Sequence, residues 1–87
     1  MNEVGFFRLG KTKGGDLFYN VRFGNGGGGC GLLKWLNPWE AIKYRAMATR
    51  EPEHVAAWEA VISAKENGGD WKLIADDAYR KMIAETL

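Results

Sequence analysis

One stretch of the chain matches a nucleotide-binding motif, and it lies close to the first residue. Gly5–Thr12 satisfies the phosphate-loop pattern GxxxxGK[ST] letter for letter. That loop binds phosphate when a buried strand precedes it and a helix N-terminus follows it. Here only four residues precede the motif, and the pair Gly14-Gly15 follows it. We therefore interpret the match as a coincidence within a strand.

A second glycine pattern comes after the next apolar run. Gly24, Gly26 and Gly29 satisfy GxGxxG, but no βαβ unit of about 30 residues surrounds them, as a dinucleotide site requires. Gly24–Gly31 is predicted to be a flexible loop, because residues without a Cβ are costly to order. Three roles stay open: a mobile connector, an anion-binding loop that uses backbone amides, and a segment that orders on a partner.

The chain contains one cysteine, Cys30, and one histidine, His54. A thiol–imidazole pair would also need an orienting group and an oxyanion site, and the sequence signals neither. The four ligands of a typical zinc site are also lacking. We expect no enzyme activity, no cofactor and no metal, and thiol-dependent hydrolysis is only a third hypothesis.

Length and composition predict one small domain over residues 1–87. Hydrophobic residues make up 46% of the chain, enough for a compact core, and large catalytic folds need more chain. A single cysteine cannot form an internal disulfide, which favours a reducing compartment. The N-terminus carries an early acid and has no sustained apolar run, so we expect no signal peptide and a soluble, cytoplasmic protein.

Charge is balanced overall at +1 but is distributed unevenly. Residues 1–48 hold seven bases against three acids, and residues 49–87 hold five bases against eight acids. The basic half suits nucleic acid or an acidic protein surface, although the total is far from that of a dedicated DNA-binding domain.

Residues 4–23 are rich in strand-forming side chains and are interrupted at Gly14-Gly15, which predicts a hairpin with a two-residue turn. Lys13 then faces Asp16, and side chains alternate between two surfaces. The expected core surface holds Phe6, Arg8, Thr12, Leu17, Tyr19, Val21 and Phe23. The other surface holds Phe7, Leu9, Lys11, Lys13, Asp16, Phe18, Asn20 and Arg22.

An α+β fold follows from the rest of the chain: a β part over residues 1–36, with the glycine loop 24–31 inside it, and three helices over residues 37–87. Leu32–Leu36 is predicted to be a third strand, with a helical turn as the alternative. Asn37 and Pro38 open the first helix, which ends near Thr49. Breaks at Pro52 and at Asn67–Asp70 begin the second and third helices.

Candidate contact residues fall into two sets. Bases interleaved with aromatic rings on the second hairpin surface are typical of sheets that contact phosphates and stack on nucleobases. The competing interpretation is that helices cover this surface. The basic set, with two residues after the glycine loop, is Phe7, Lys11, Lys13, Phe18, Arg22, Lys34 and Trp35. The acidic set is Glu51, Glu53, Asp76 and Asp77, which are also explained as helix first-turn and solvent-facing acids.

The sequence has two resemblances to known families. Tyr19–Phe23 together with Leu36–Arg45 resembles AP2 and phage-integrase arm-binding domains, in which three strands precede a helix. That resemblance implies a sheet docked in the DNA major groove through Lys11, Lys13, Arg22 and Lys34. Gly29–Leu32 followed by Glu40–Lys43, after Leu9–Lys11, is similar to small phage-encoded anti-CRISPR proteins, which occlude a protein surface.

Two functional hypotheses result. The first is a non-enzymatic, protein-binding module of a phage or mobile element, an inhibitor that occludes a nucleic-acid-binding effector of the host, in whose cytoplasm it would act. The second is a nucleic-acid-binding domain that uses the basic, aromatic surface of the hairpin.

Overall fold

The computed structural model describes residues 3–86 and has an α+β fold, as predicted. Its sheet is antiparallel with strand order β1-β2-β3. Among the described residues, no helix is long and apolar enough to cross a membrane. The elements are β1 (Val4–Lys11), β2 (Leu17–Phe23), β3 (Gly28–Leu32), a 3-10 helix (Leu33–Trp35), α1 (Pro38–Thr49), α2 (Pro52–Glu66) and α3 (Trp71–Thr86).

Both hairpins turn through the same five-residue loop. In the first loop the Gly15 N–H donates to the Thr12 carbonyl (3.0 Å), and the Thr12 N–H donates to the Asp16 carbonyl (2.8 Å). The second loop repeats this pattern from Phe23 to Gly27, with distances of 3.1 and 2.7 Å. The fourth residue of each loop has positive φ, 88° at Gly15 and 93° at Gly26. Glycine adopts this conformation without steric cost, which explains its position in both turns.

The prediction of a two-residue turn is therefore wrong. As a consequence, the side chains of β1 that were predicted to face the core face solvent, and those predicted to face solvent face the core. The observed loop pairs Lys11 with Leu17, whereas a Gly14-Gly15 turn would pair Lys11 with Phe18. A register shift of one residue moves every side chain of a strand to the opposite face. Phe7 and Leu9 consequently face the helices together with Tyr19 and the other apolar residues of β2.

The secondary structure of the glycine segment also differs from the prediction. Gly28–Gly31 belongs to β3 instead of a flexible loop, and the residues after Leu32 form a 3-10 helix instead of a strand. The β2 strand supplies hydrogen-bond partners along this segment, so pairing offsets the entropy that glycine loses on ordering.

The helix boundaries confirm the signals in the sequence. Helix α1 spans Pro38–Thr49, as predicted, and Pro52 opens α2. The α2–α3 turn has Gly68 at φ 72°, and the Asp70 carboxylate accepts a hydrogen bond from the Leu73 N–H (3.2 Å). The Asn37 side chain makes no capping bond and donates instead to the carboxylate of Glu40 (2.8 Å).

The core lies between the sheet and the three helices. Its fully buried cluster contains Leu33, Ala41, Ile42 and Met82, contributed by the 3-10 helix, α1 and α3. Apolar side chains of β1 and β2 close the cluster from the sheet side. Ala57 and Trp58 of α2 also pack against this cluster, so all three helices lie on the same side of the sheet.

Substitution by alanine should destabilise the protein at Gly28 and have little effect at Gly29. A Cβ at Gly28 would lie 2.5 Å from the Val21 carbonyl oxygen, whereas a Cβ at Gly29 would meet nothing within 4 Å. We expect Gly28→Ala to lower the free energy of unfolding by about 1–3 kcal/mol, because a backbone atom must move. Gly29→Ala, the matched control, should change it by less than about 1 kcal/mol. Urea denaturation measures both, and equal effects would contradict the close approach at Gly28.

Candidate functional site

The outer face of the sheet is the surface turned away from the helices. Strand pairing arranges it in three rows across β1, β2 and β3, because directly opposite residues share a face. The rows are Phe6–Arg22–Gly28, Arg8–Asn20–Cys30 and Gly10–Phe18–Leu32.

This outer face combines exposed rings with positive charge. Phe6 and Phe18 are each 38% exposed, and Arg8 and Arg22 are exposed as well. Among residues 3–86, no carboxylate lies in the three rows. Such a face attracts anions and offers flat apolar contacts beside them.

The absence of a side chain at Gly10 leaves room for the Phe18 ring. A Cβ on Gly10, its cross-strand partner, would lie 2.6 Å from the Phe18 Cε1 atom. The ring therefore covers the backbone of β1 and presents one side to solvent. Glycine at position 10 thus makes a flat aromatic surface possible at this end of the sheet.

The structure separates the predicted basic set. Phe18 and Arg22 lie on the outer face, as predicted. Phe7 does not, because the register shift turns it toward α1, where its ring centre is 6.1 Å from that of Tyr44. The other members are exposed around the sheet: Lys11 at the end of β1, Lys13 in the first turn, and Lys34 and Trp35 in the 3-10 helix.

The structure brings part of the predicted acidic set together, because Glu53 and Asp77 line one groove between α2 and α3. Glu51 and Glu53 lie at the N-terminus of α2, beside His54. Asp77 on α3 is 3.5 Å from the Nζ of Lys81, and its half-buried neighbour Asp76 points along a different side of the same helix. Arg45 and Lys81 line the same groove, and their positive charges reduce the negative potential that these acids could create together.

Sequence reasoning missed Phe6, Arg8 and Cys30 as members of the outer face. The signals that could have placed them are the two loops, Thr12–Asp16 for Phe6 and Arg8 and Phe23–Gly27 for Cys30, because a glycine at the fourth position is typical of longer hairpin turns. The first loop fixes the register and with it the face of every β1 side chain.

Cys30 and His54 are not brought together. Cys30 is exposed on the outer face, whereas His54 lies on the helix side and its Nδ1 is 2.9 Å from the Thr49 hydroxyl. The hydroxyl donates to the Arg45 carbonyl (2.9 Å), so it accepts the hydrogen bond from Nδ1–H. Ligand atoms of His54, Glu51 and Glu53 lie within 4.8 Å of one another, but both carboxylates are exposed and belong to the helix terminus.

The described groups with shifted pKa values are on the helix side of the sheet. Burial raises the pKa of Tyr79, and burial together with the charge of Glu40 raises the pKa of Tyr44. Burial also lowers the pKa of Arg45, whose Nε has no hydrogen-bond partner, while Glu85 at 3.4 Å opposes the shift. These shifts follow from packing, and none belongs to the outer face.

The comparisons with known proteins add no relative. No protein-family model, no curated protein and no solved structure matches this chain. The outer face is therefore the feature from which the function is inferred.

Alkaline pH should reveal the packing of Tyr44 against the sheet. Its raised pKa means that the folded state keeps the phenol protonated where the unfolded chain, with a pKa of about 10, loses the proton. This contribution to stability is complete below about pH 10 and is lost as the pH rises through the folded-state value. We expect the free energy of unfolding to fall less steeply above about pH 10 in Tyr44→Phe than in the unmodified protein. Urea titrations at several pH values measure this, and identical slopes would contradict it.

Proposed function

We propose that this protein binds duplex DNA by placing the outer face of its sheet in the major groove. The observation that carries the proposal is the row arrangement of Arg8, Asn20 and Arg22 on a face without carboxylates in the described chain. Arginine makes paired hydrogen bonds to guanine in the major groove, and asparagine makes them to adenine. These side chains are therefore suited to reading base edges as well as to contacting phosphates.

The dimensions of the sheet support the same proposal. Neighbouring strands are about 4.8 Å apart, so three strands span about 10 Å, which fits a major groove about 12 Å wide. Phe6 and Phe18 would then contact thymine methyl groups from the two ends of the face. Lys11 and Lys13, at the turn that ends β1, are placed to contact the phosphate backbone beside the groove.

Charge distribution favours the sheet over the helices as the contact surface. Residues 1–36 hold five bases and two acids, whereas residues 37–87 hold seven bases and nine acids. A phosphate backbone would therefore approach the β part of the molecule first. The alternative function, an inhibitor that occludes a host protein, stays a prediction, and the interruption of its acidic set by bases gives it less support.

Removal of the two outer-face arginines tests the proposal. We expect Arg8→Gln/Arg22→Gln to weaken binding to duplex oligonucleotides by about 30-fold or more, because each of the two arginines contributes roughly 1–3 kcal/mol at a base edge. Arg80→Gln, an exposed control on α3, should leave binding nearly unchanged. Fluorescence anisotropy at several salt concentrations measures both, and each lost phosphate contact should reduce the salt slope by about 0.9.

Three outcomes would contradict the proposal. One is the absence of duplex binding at low salt, and another is an equal loss of binding in the Arg80→Gln control. The third is tighter binding to single-stranded than to duplex oligonucleotides, which would indicate stacking on exposed bases instead of groove readout. Circular dichroism of each variant verifies that the fold is intact.

A further inference from the structure

The outer edge of β3 has unused backbone hydrogen-bonding groups. The Phe23 N–H donates to the Gly27 carbonyl (2.7 Å), and hydrogen-bonded pairs then recur at every second residue along an antiparallel pair. Gly29 and Gly31 therefore direct their backbone groups to β2, opposite Val21 and Tyr19. Cys30 directs its N–H and C=O the other way, where no strand of the described chain pairs with β3.

This edge lacks the features that usually prevent strand pairing. Natural edge strands are protected by charged side chains, proline, bulges or a covering element. The opposite edge strand, β1, has an irregular register between Val4 and Phe6 and carries Arg8 and Lys11. By contrast, β3 reads Gly-Gly-Cys-Gly-Leu, with neither charge nor proline, and its main contacts are with β2.

A large exposed ring lies beside the same edge. Trp35 is 69% exposed, more than any other large hydrophobic residue in the described chain. Its Cε3 atom lies 3.1 Å from the Cβ position of Gly31, on the helix side of β3. The corresponding space over Gly29, two residues earlier on the same side, is empty to 4 Å.

We propose that β3 pairs with the β3 strand of a second copy of this chain, antiparallel about a two-fold axis at Cys30. The Cys30 groups would form two hydrogen bonds across the axis, and the Leu32 N–H of each copy would donate to the Gly28 carbonyl of the other. Gly31 of one copy is then opposite Gly29 of the second copy. The exposed part of the Trp35 ring, which covers Gly31, would fill the empty space over that opposite glycine.

A second copy suits this edge for two reasons. Cys30 is the middle residue of the five in β3, so antiparallel pairing about it uses the whole strand of both copies. In addition, identical strands bring identical charges together, and β3 has none that would repel. The proposal does not rest on DNA binding, and its tests contain no DNA.

Molar mass in solution is the first test, measured by light scattering with reductant over micromolar to millimolar protein. The unmodified protein should approach twice its monomer mass of 9.7 kDa as concentration rises. Cys30→Lys places like charges opposite each other at the axis, and it should raise the dimer dissociation constant about tenfold or more. Trp35→Ala should raise it to a similar extent. Ser63→Lys, an exposed control on α2, should not change it.

Cross-linking through Cys30 tests the register. Directly opposite, hydrogen-bonded residues have Cα atoms about 5.5 Å apart, which a disulfide can bridge. We expect a mild oxidant to link two copies through Cys30 rapidly. The variant Cys30→Ser/Ser63→Cys, with its thiol on α2, should link more slowly by a factor of about ten or more.

A monomer at every concentration would overturn the inference, and so would a dimer that Cys30→Lys and Trp35→Ala leave intact. Equal cross-linking rates in the two single-thiol proteins would overturn the antiparallel register about Cys30. These tests contain no DNA, and each can fail without a change in duplex binding by the outer face, so the two proposals fail independently.

Discussion

The register of the first hairpin is the constraint on which the rest of the structure depends. Gly15 has a φ of 88°, and with it the chain turns through five residues between β1 and β2. This loop places Phe7 and Leu9 with the helices and turns Phe6 and Arg8 outward. A register one residue different would bury Arg8 and expose Leu9, at the cost of desolvating a guanidinium. The conformation of the turn and the burial of apolar side chains therefore favour the same register of the hairpin.

Aromatic contacts then fix the helices to the sheet. Tyr44 on α1 lies between two rings of the sheet, 6.1 Å from Phe7 and 5.8 Å from Phe23, measured between ring centres. Between the helices themselves, Trp39 of α1 and Trp71 of α3 meet edge to face at 5.4 Å. Large rings bury much area per residue, which matters in a domain with so small a core. Because the helices are held on one side, the other side of the sheet is left open.

The two proposed contacts use different parts of the same sheet. DNA would meet the outer face, and a second copy would meet the edge of β3. A paired sheet of six strands would be about 24 Å across, roughly twice the width of the major groove. Pairing at β3 and insertion of the sheet into one groove would therefore exclude each other. Self-association would then compete with DNA for the free protein.

The sequence by itself determined the helices and the existence of the hairpin. Local signals suffice for both: Pro38 and Pro52 open helices, Asp70 caps α3, and glycines mark the turn between Lys11 and Leu17. These signals act within a few residues, so they can be interpreted without knowledge of the fold.

Only the tertiary structure decided which surface of β1 faces solvent and whether the glycine segment is ordered. The turn Thr12–Asp16 and a two-residue turn at Gly14-Gly15 differ by one residue in register, and the burial of Phe7 and Leu9 selects between them. Gly28–Gly31 has almost no side chains to indicate a strand, and it is ordered because β2 supplies its hydrogen bonds. Both outcomes depend on partners distant in sequence, and for that reason the local pattern did not by itself decide between the alternatives.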